Sequence, residues 1–120
     1  MRWLVDGMNV IGSRPTGWWR DRRGAMRNLV ERLDAYAEGT GEDVAVVLDG
    51  APFALAAERV EVAFASRRGP DAADDDIAAR AEPGITVVTS DRELARRSAE
   101  RGADVVGAGE FLRGLDDVTT

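Results

Sequence analysis

The chain has 120 residues, 44% of them apolar, with a formal net charge of −6; this is the length of one domain that buries roughly two-thirds of its unfolded surface. It has no His, no Cys, and no Lys among its 16 basic residues, which excludes a Ser-His-Asp triad, a thiol nucleophile, His-ligated zinc and any lysine-based chemistry. Carboxylates, hydroxyls, Arg and a bound hard cation remain for catalysis.

In chain order, residues 2–6 are predicted to form the first strand, followed by a loop over 7–19 that carries Gly12, Pro15 and Gly17. A strand beginning within two residues leaves no room for an export signal, and no apolar stretch reaches the roughly 20 residues that span a bilayer. A cytoplasmic, membrane-free protein is therefore expected. A helix is predicted over 21–38, because Met26, Leu29, Val30, Leu33 and Ala37 recur at the spacing of one buried face. Asp21 is its candidate N-cap and Gly39-Thr40-Gly41 its end. Residues 43–49 form the second strand, and 51–59, opening with Pro52, have room for one or two helical turns. Val60, Val62 and Phe64 alternate with Glu61, Ala63 and Ala65, as in a half-exposed strand near a sheet edge. A loop at 66–71 precedes a helix over 72–81, closed by Pro83-Gly84. The fourth strand is 85–89, and Ser90 with Glu93 reads as a capping box for a helix over 91–101. Val105-Val106 is a short fifth strand, 110–115 a last helix, and 116–120 a frayed tail outside a domain of residues 1–115. Strands alternating with helices imply an α/β domain whose parallel sheet has helices on both faces.

Three of the apolar runs end in an acid. Trp3-Leu4-Val5 runs into Asp6, Val44 to Leu48 into Asp49, and Ile85 to Ser90 into Asp91. Ligands of open α/β sheets bind beyond the carboxyl ends of the strands, so the three acids are expected on one rim. Asp74, in Ala73-Asp74-Asp75-Asp76-Ile77 at the start of a helix, is the fourth. Carboxylates so gathered repel one another and raise one another's pKa unless a cation is present. One or two Mg²⁺ or Mn²⁺ ions suit such a donor set, and a pair of ions clamps the attacking water and leaving oxygen of a phosphodiester. Each acid also has a purely structural use: Asp6 bonding loop amides, Asp49-Gly50 making a turn, Asp74 capping its helix, Asp91 and Ser90 serving the next one.

The four segments Val5-Asp6-Gly7-Met8-Asn9-Val10-Ile11-Gly12, Val47-Leu48-Asp49-Gly50, Ala73-Asp74-Asp75-Asp76-Ile77 and Val88-Thr89-Ser90-Asp91, in this order, resemble the NYN domain. More narrowly they resemble its YacP-like branch, a relative of the PIN-domain nucleases. The resemblance implies a PIN-like, Rossmann-like fold with a five-stranded parallel sheet in the order 3-2-1-4-5, and a divalent-metal endoribonuclease site. It carries the metal-binding and catalytic roles to Asp6, Asp49, Asp74 and Asp91, with Asn9 orienting a ligand or water. Asp75 takes the second acidic position of the motif, and Asp76, at the variable one, is expected to face solvent.

Residues 14–32 carry six Arg against Asp21 and Glu31, a local balance of +4 that leaves −10 for the rest of the chain. Within this patch Arg14, Trp18, Trp19, Arg20, Arg22 and Arg23 leave the first strand on the rim of Asp6. Adjacent Arg and Trp suit single-stranded RNA, whose bases stack on rings while guanidinium groups pair with phosphate. The bland account is that one Trp packs on the sheet, the other is exposed, and the Arg side chains are solvated. Arg67 and Arg68 either extend the patch or are loop surface charge. Two functions follow as expectations: a metal-dependent ribonuclease, or an RNA-binding module with a vestigial site that acts on the ribosome or with a partner protein.

Overall fold

The computed structural model describes residues 1–69 and 71–119. The first strand, β1 (Arg2–Asp6), lies at the centre of the sheet between β2 (Asp43–Leu48) and β4 (Ile85–Val88). β3 (Val60–Phe64) pairs with β2, and β5 (Asp104–Val106) with β4, so both are edges. All pairings are parallel and the order is β3-β2-β1-β4-β5, as the resemblance implied.

The pleat decides which residues meet which helices. Val5, Val46, Leu48 and Val88 pack on α1 (Gly7–Gly12), α2 (Arg22–Thr40) and α5 (Ala108–Thr119) through Val10, Leu29, Leu33 and Leu115. Leu4, Val47 and Val87 point to the other face, against α3 (Ala72–Arg80) and α4 (Arg92–Glu100) through Ile77 and Leu94. All five residues predicted for the inner face of α2 are buried. Asp21 caps that helix by accepting the Gly24 N–H at 3.0 Å, and Gly41 ends it in the left-handed conformation, φ 72°. No helix among the described residues is long and apolar enough to cross a membrane.

Four local expectations are corrected. The loop expected over 7–19 opens instead as α1, immediately after Asp6, and holds a 3₁₀ turn at Trp18–Arg20. Gly at both ends hid α1 in the sequence; burial of Val10 against the sheet stabilises it. The stretch 51–59 contains no helical turn. Its end is anchored to α2, where the Asp34 carboxylate accepts the N–H groups of Glu58, Arg59 and Val60 at 2.9–3.0 Å. The cap of α4 is not Ser90 but Asp91, which accepts the Leu94 N–H at 3.0 Å, while Glu93 pairs with Arg96. Finally, residues 116–119 are not a frayed tail: α5 continues through Thr119, with Asp116 paired to Arg14 and Arg32. Pro70 of the expected 66–71 loop and Thr120 of the expected tail lie outside the described residues.

Candidate active site at the carboxyl rim of the sheet

The strand register sets the height of each acid. Asp6 is level with Val47, and Val5 with Val88, so Asp6 and Thr89 stand side by side at the same level. Asp49 and Asp91 each come two residues later in the chain than that level, just past the ends of the strands flanking β1. Asp74 arrives from the first turn of α3. Gly7 lets α1 start this close to β2: a Cβ there would sit 2.5 Å from Leu48 Cδ2 and 3.0 Å from the Val47 carbonyl oxygen.

The acids feel one another. Asp6 is 5% exposed, and its carboxyl is pushed up to about 6 by burial first, with Asp74 and Asp49 adding to the rise. The Thr89 hydroxyl, donating to Asp6 Oδ2 at 2.9 Å, and the nearby Asn9 N–H act against it. Asp74 is raised by burial, then by Asp91, Asp71 and Asp49, with Arg97 opposing. Burial also raises Asp49, against the Arg22 guanidinium and the Ala73 N–H; Asp76 adds a smaller push upward. All four carboxylates predicted for the rim are therefore electrostatically linked there. Among the described residues, however, no group of three or more acidic side chains is gathered so that it could hold a metal ion.

Hydrogen bonds hold the rim in register. Asn9 Oδ1 accepts the Ser90 N–H at 2.8 Å, tying α1 to the end of β4. Ser90 Oγ accepts the Ala108 N–H at 2.9 Å, so Ser90 secures the start of α5. Thr89 Oγ1 also accepts the Asp91 N–H at 3.1 Å, linking the buried Asp6 to the α4 cap. Thr89 escaped the sequence reading because a strand-end Thr has no special pattern.

Asp75 is claimed by two guanidinium groups. Arg97 donates to Oδ1 at 3.0 Å and Arg67 pairs with Oδ2, and these bonds, Arg97 first, hold the Asp75 carboxyl below its ordinary value. Arg97 was not among the sequence candidates, since one Arg on a helix with three others gives no signal. It and Arg67 border a cavity of about 330 Å³ that also touches Asp71, Asp74 and Asp91. Asp76 does not simply face solvent: it is half-buried and accepts both the N–H and the hydroxyl of Ser66, at 2.6 and 2.8 Å.

Trp18 is half-buried and Trp19 is 57% exposed, their rings edge to face at 6.1 Å. The Arg20 guanidinium lies 5.9 Å from the Trp19 ring centre, and that of Arg22 6.0 Å from Trp18. Arg23 sits over Phe53, away from the tryptophans. Arg14 is drawn into the Asp116 pair, and Arg68 is exposed on the β3–α3 loop. A cavity of about 520 Å³ lies at the opposite end of the sheet, around Arg2, Asp43 and Arg80.

Comparison with known proteins agrees with this architecture. The structure of Rae1 (YacP) from Bacillus subtilis superposes with a TM-score of 0.76, and a mutant form of it with 0.82. Each is 29% identical to this chain; the mutant's match covers 98% of this chain and 76% of the other. A UPF0178 protein of Bradyrhizobium diazoefficiens is 60% identical over 43 residues, 36% of this chain and 26% of its own length. A UPF0178 protein of Rhodopseudomonas palustris is 44% identical over 76 residues, 63% of this chain and 46% of its own. The chain thus matches less than half the length of either UPF0178 protein. The YacP-like NYN domain profile matches residues 3–120, and the chain belongs to that nuclease-like family.

Proposed function

We propose that the chain hydrolyses RNA phosphodiester bonds at the carboxyl rim, with a divalent cation, Mg²⁺ or Mn²⁺, held by Asp6, Asp49, Asp74 and Asp91. One observation carries this reading: carboxylates from three strand ends and a helix start meet at a single rim, where burial and neighbouring acids raise Asp6 and Asp74 and burial raises Asp49. Keeping them together costs stability in the bare protein and is useful when a cation or a reacting phosphate is there. The donor set is all hard oxygen, the kind such an ion prefers, though its side chains would have to draw closer to hold one. When bound, the ion neutralises phosphate charge and makes its water more acidic.

The remaining groups position the substrate. Arg97 and Arg67, already turned toward Asp75, offer further N–H groups to a phosphate beside Asp74. Asn9, Thr89 and Ser90 keep the carboxylates in place through the bonds described above. Trp19 and Arg20, exposed at the start of α2, suit stacking and phosphate contact with a single strand.

Cleavage of a labelled single-stranded RNA with Mn²⁺ tests the reading. Asp49→Asn and Asp74→Asn should each lower the rate at least 100-fold while the proteins stay folded. A saturating ion at 100 times its Kd should stabilise the wild type by about 2.7 kcal/mol, and Asp74→Asn should lose that gain. Full activity in both variants sinks the proposal. The lack, among the described residues, of a ready three-carboxylate group favours one other reading, an RNA-binding module with a vestigial site acting on the ribosome. In that case RNA binding is salt-dependent and unmoved by metal, and wild type shows neither cleavage nor a metal-dependent melt.

A further inference from the structure

A third cavity, about 330 Å³, opens between α1, the Trp18 turn, α2 and α5. Its floor is apolar, made by Val10, Leu29 and Leu112, and the Trp18 indole forms part of its wall. Trp18 leans on the end of α1, where a Cβ at Gly12 would meet the indole at an ordinary 3.7 Å. Across from α1, helix α2 contributes Asp21, Ala25, Asn28 and Arg32. These positions recur every three or four residues and share one helix face. Ala25 is the small residue at the centre of that stripe. A flat ring fits in that space, beside an aromatic wall and over an apolar floor. This is the usual composition of a nucleobase site.

The polar ends of the stripe are opposite in character. Asp21 is acceptor-only; its Oδ1 takes the Gly24 N–H and the carboxylate has further lone pairs to offer. Some 10 Å along the helix, Asn28 carries an amide, and beyond it Arg32 places Nη2 on Asp116, with other N–H groups of its fork remaining. Guanine matches this polarity, with N1–H and N2–H₂ donors on one edge and O6 and N7 acceptors on the other. Adenine turns an acceptor, N1, where guanine has a donor, and is repelled by a carboxylate.

We propose that this cavity binds a guanine base of the RNA, next to the cleavage rim. The proposal rests on the ribonuclease reading for the identity of the ligand, and on the cavity for its place. The cavity and the rim share α1: Asp6 precedes its first residue and Val10 lines the cavity, so they are about 6 Å apart along the helix axis. Arg22 spans the gap, acting electrostatically on Asp49 and lying over Trp18. A phosphate joining a pocketed guanosine to the rim would meet that guanidinium.

Calorimetric titration of the full chain with GMP, AMP, CMP and UMP, in EDTA, tests the proposal. GMP should bind at least tenfold more tightly than the other three. Asp21→Asn keeps an equally good helix cap but replaces one acceptor oxygen by a donor, and should reduce GMP to the level of AMP. Asp74→Asn should bind GMP like the wild type. Equal affinities for the four nucleotides, no GMP binding at millimolar concentration, or a GMP preference that survives Asp21→Asn would each overturn it. The same proteins in the RNA cleavage assay separate the two ideas. Cleavage that survives Asp74→Asn defeats the ribonuclease reading whatever GMP does, whereas loss of GMP preference beside intact, Asp74-dependent cleavage defeats only the guanine pocket.

Discussion

Replacing Asp6 by Asn should stabilise the metal-free protein, and by an amount that grows with pH. In the folded chain the Asp6 carboxyl titrates at about 6, against an ordinary 3.8, because burial and the neighbouring acids disfavour its charge. A group raised in this way contributes stability that is fully present below 3.8 and is lost as pH rises through about 6. At 1.36 kcal/mol for each tenfold, the whole displacement is worth about 3 kcal/mol. Roughly 2 kcal/mol of it falls between about pH 4.5 and about pH 8. Asn has the same shape and carries no charge, so the variant is spared this loss. With an unfolding entropy of roughly 2.1 cal/mol/K per residue, 1 kcal/mol moves the Tm of a chain this size by about 4 °C. The assay is calorimetric melting of both proteins in EDTA across that pH range. The variant's advantage should widen by roughly 8 °C toward high pH. Carboxylates held low, such as Asp34 and Asp75, destabilise both proteins equally on acidification and cancel in the difference. An advantage that stays constant with pH would refute the reasoning.

Gly7→Ala should destabilise despite the better helix propensity of Ala, because the new Cβ meets Leu48 Cδ2 at 2.5 Å and backbone oxygen at 3.0 Å. Overpacking of this kind costs about 1–3 kcal/mol; a urea midpoint at or above that of the wild type would contradict it. Asp34→Ala strips the acceptor from three backbone N–H groups at the start of β3 and should cost about 1–3 kcal/mol. Amide exchange at Glu58, Arg59 and Val60 should speed up selectively, and unchanged protection there would count against the anchoring role.

Residues whose structural meaning is local were legible in the sequence. The inner face of α2, the largely buried strands β1, β2 and β4, and the half-exposed β3 edge all follow from periodicity and burial. Local signals failed where a distant partner decides. Ser90 and Glu93 have the spacing of a capping box, yet Ser90 Oγ is engaged by Ala108, and Asp91 takes the cap. Asp34, three turns into α2, holds the N–H groups of residues 58–60, an anchor that Pro52 alone did not foretell. Asp76 sits at a variable position of a triple acid but turns to Ser66. The end of the chain continues as helix because Asp116 has two arginines, 102 and 84 residues away in sequence, to pair with.

By itself the sequence determined the fold class, the acidic strand ends and the exclusion of His, Cys and Lys chemistry, since those depend on residue type and on period along one chain. Tertiary structure decided what each acid experiences. Asp6, Asp49, Asp74 and Asp91 are all aspartates at element ends, but only register and burial make Asp6 the one that titrates near 6. The same is true of Arg97 and Thr89, which acquire roles at the rim because the crossing of α3, α4 and β4 sets them beside Asp75 and Asp6. Electrostatic coupling and desolvation depend on distances through space, and those are not written in the order of residues.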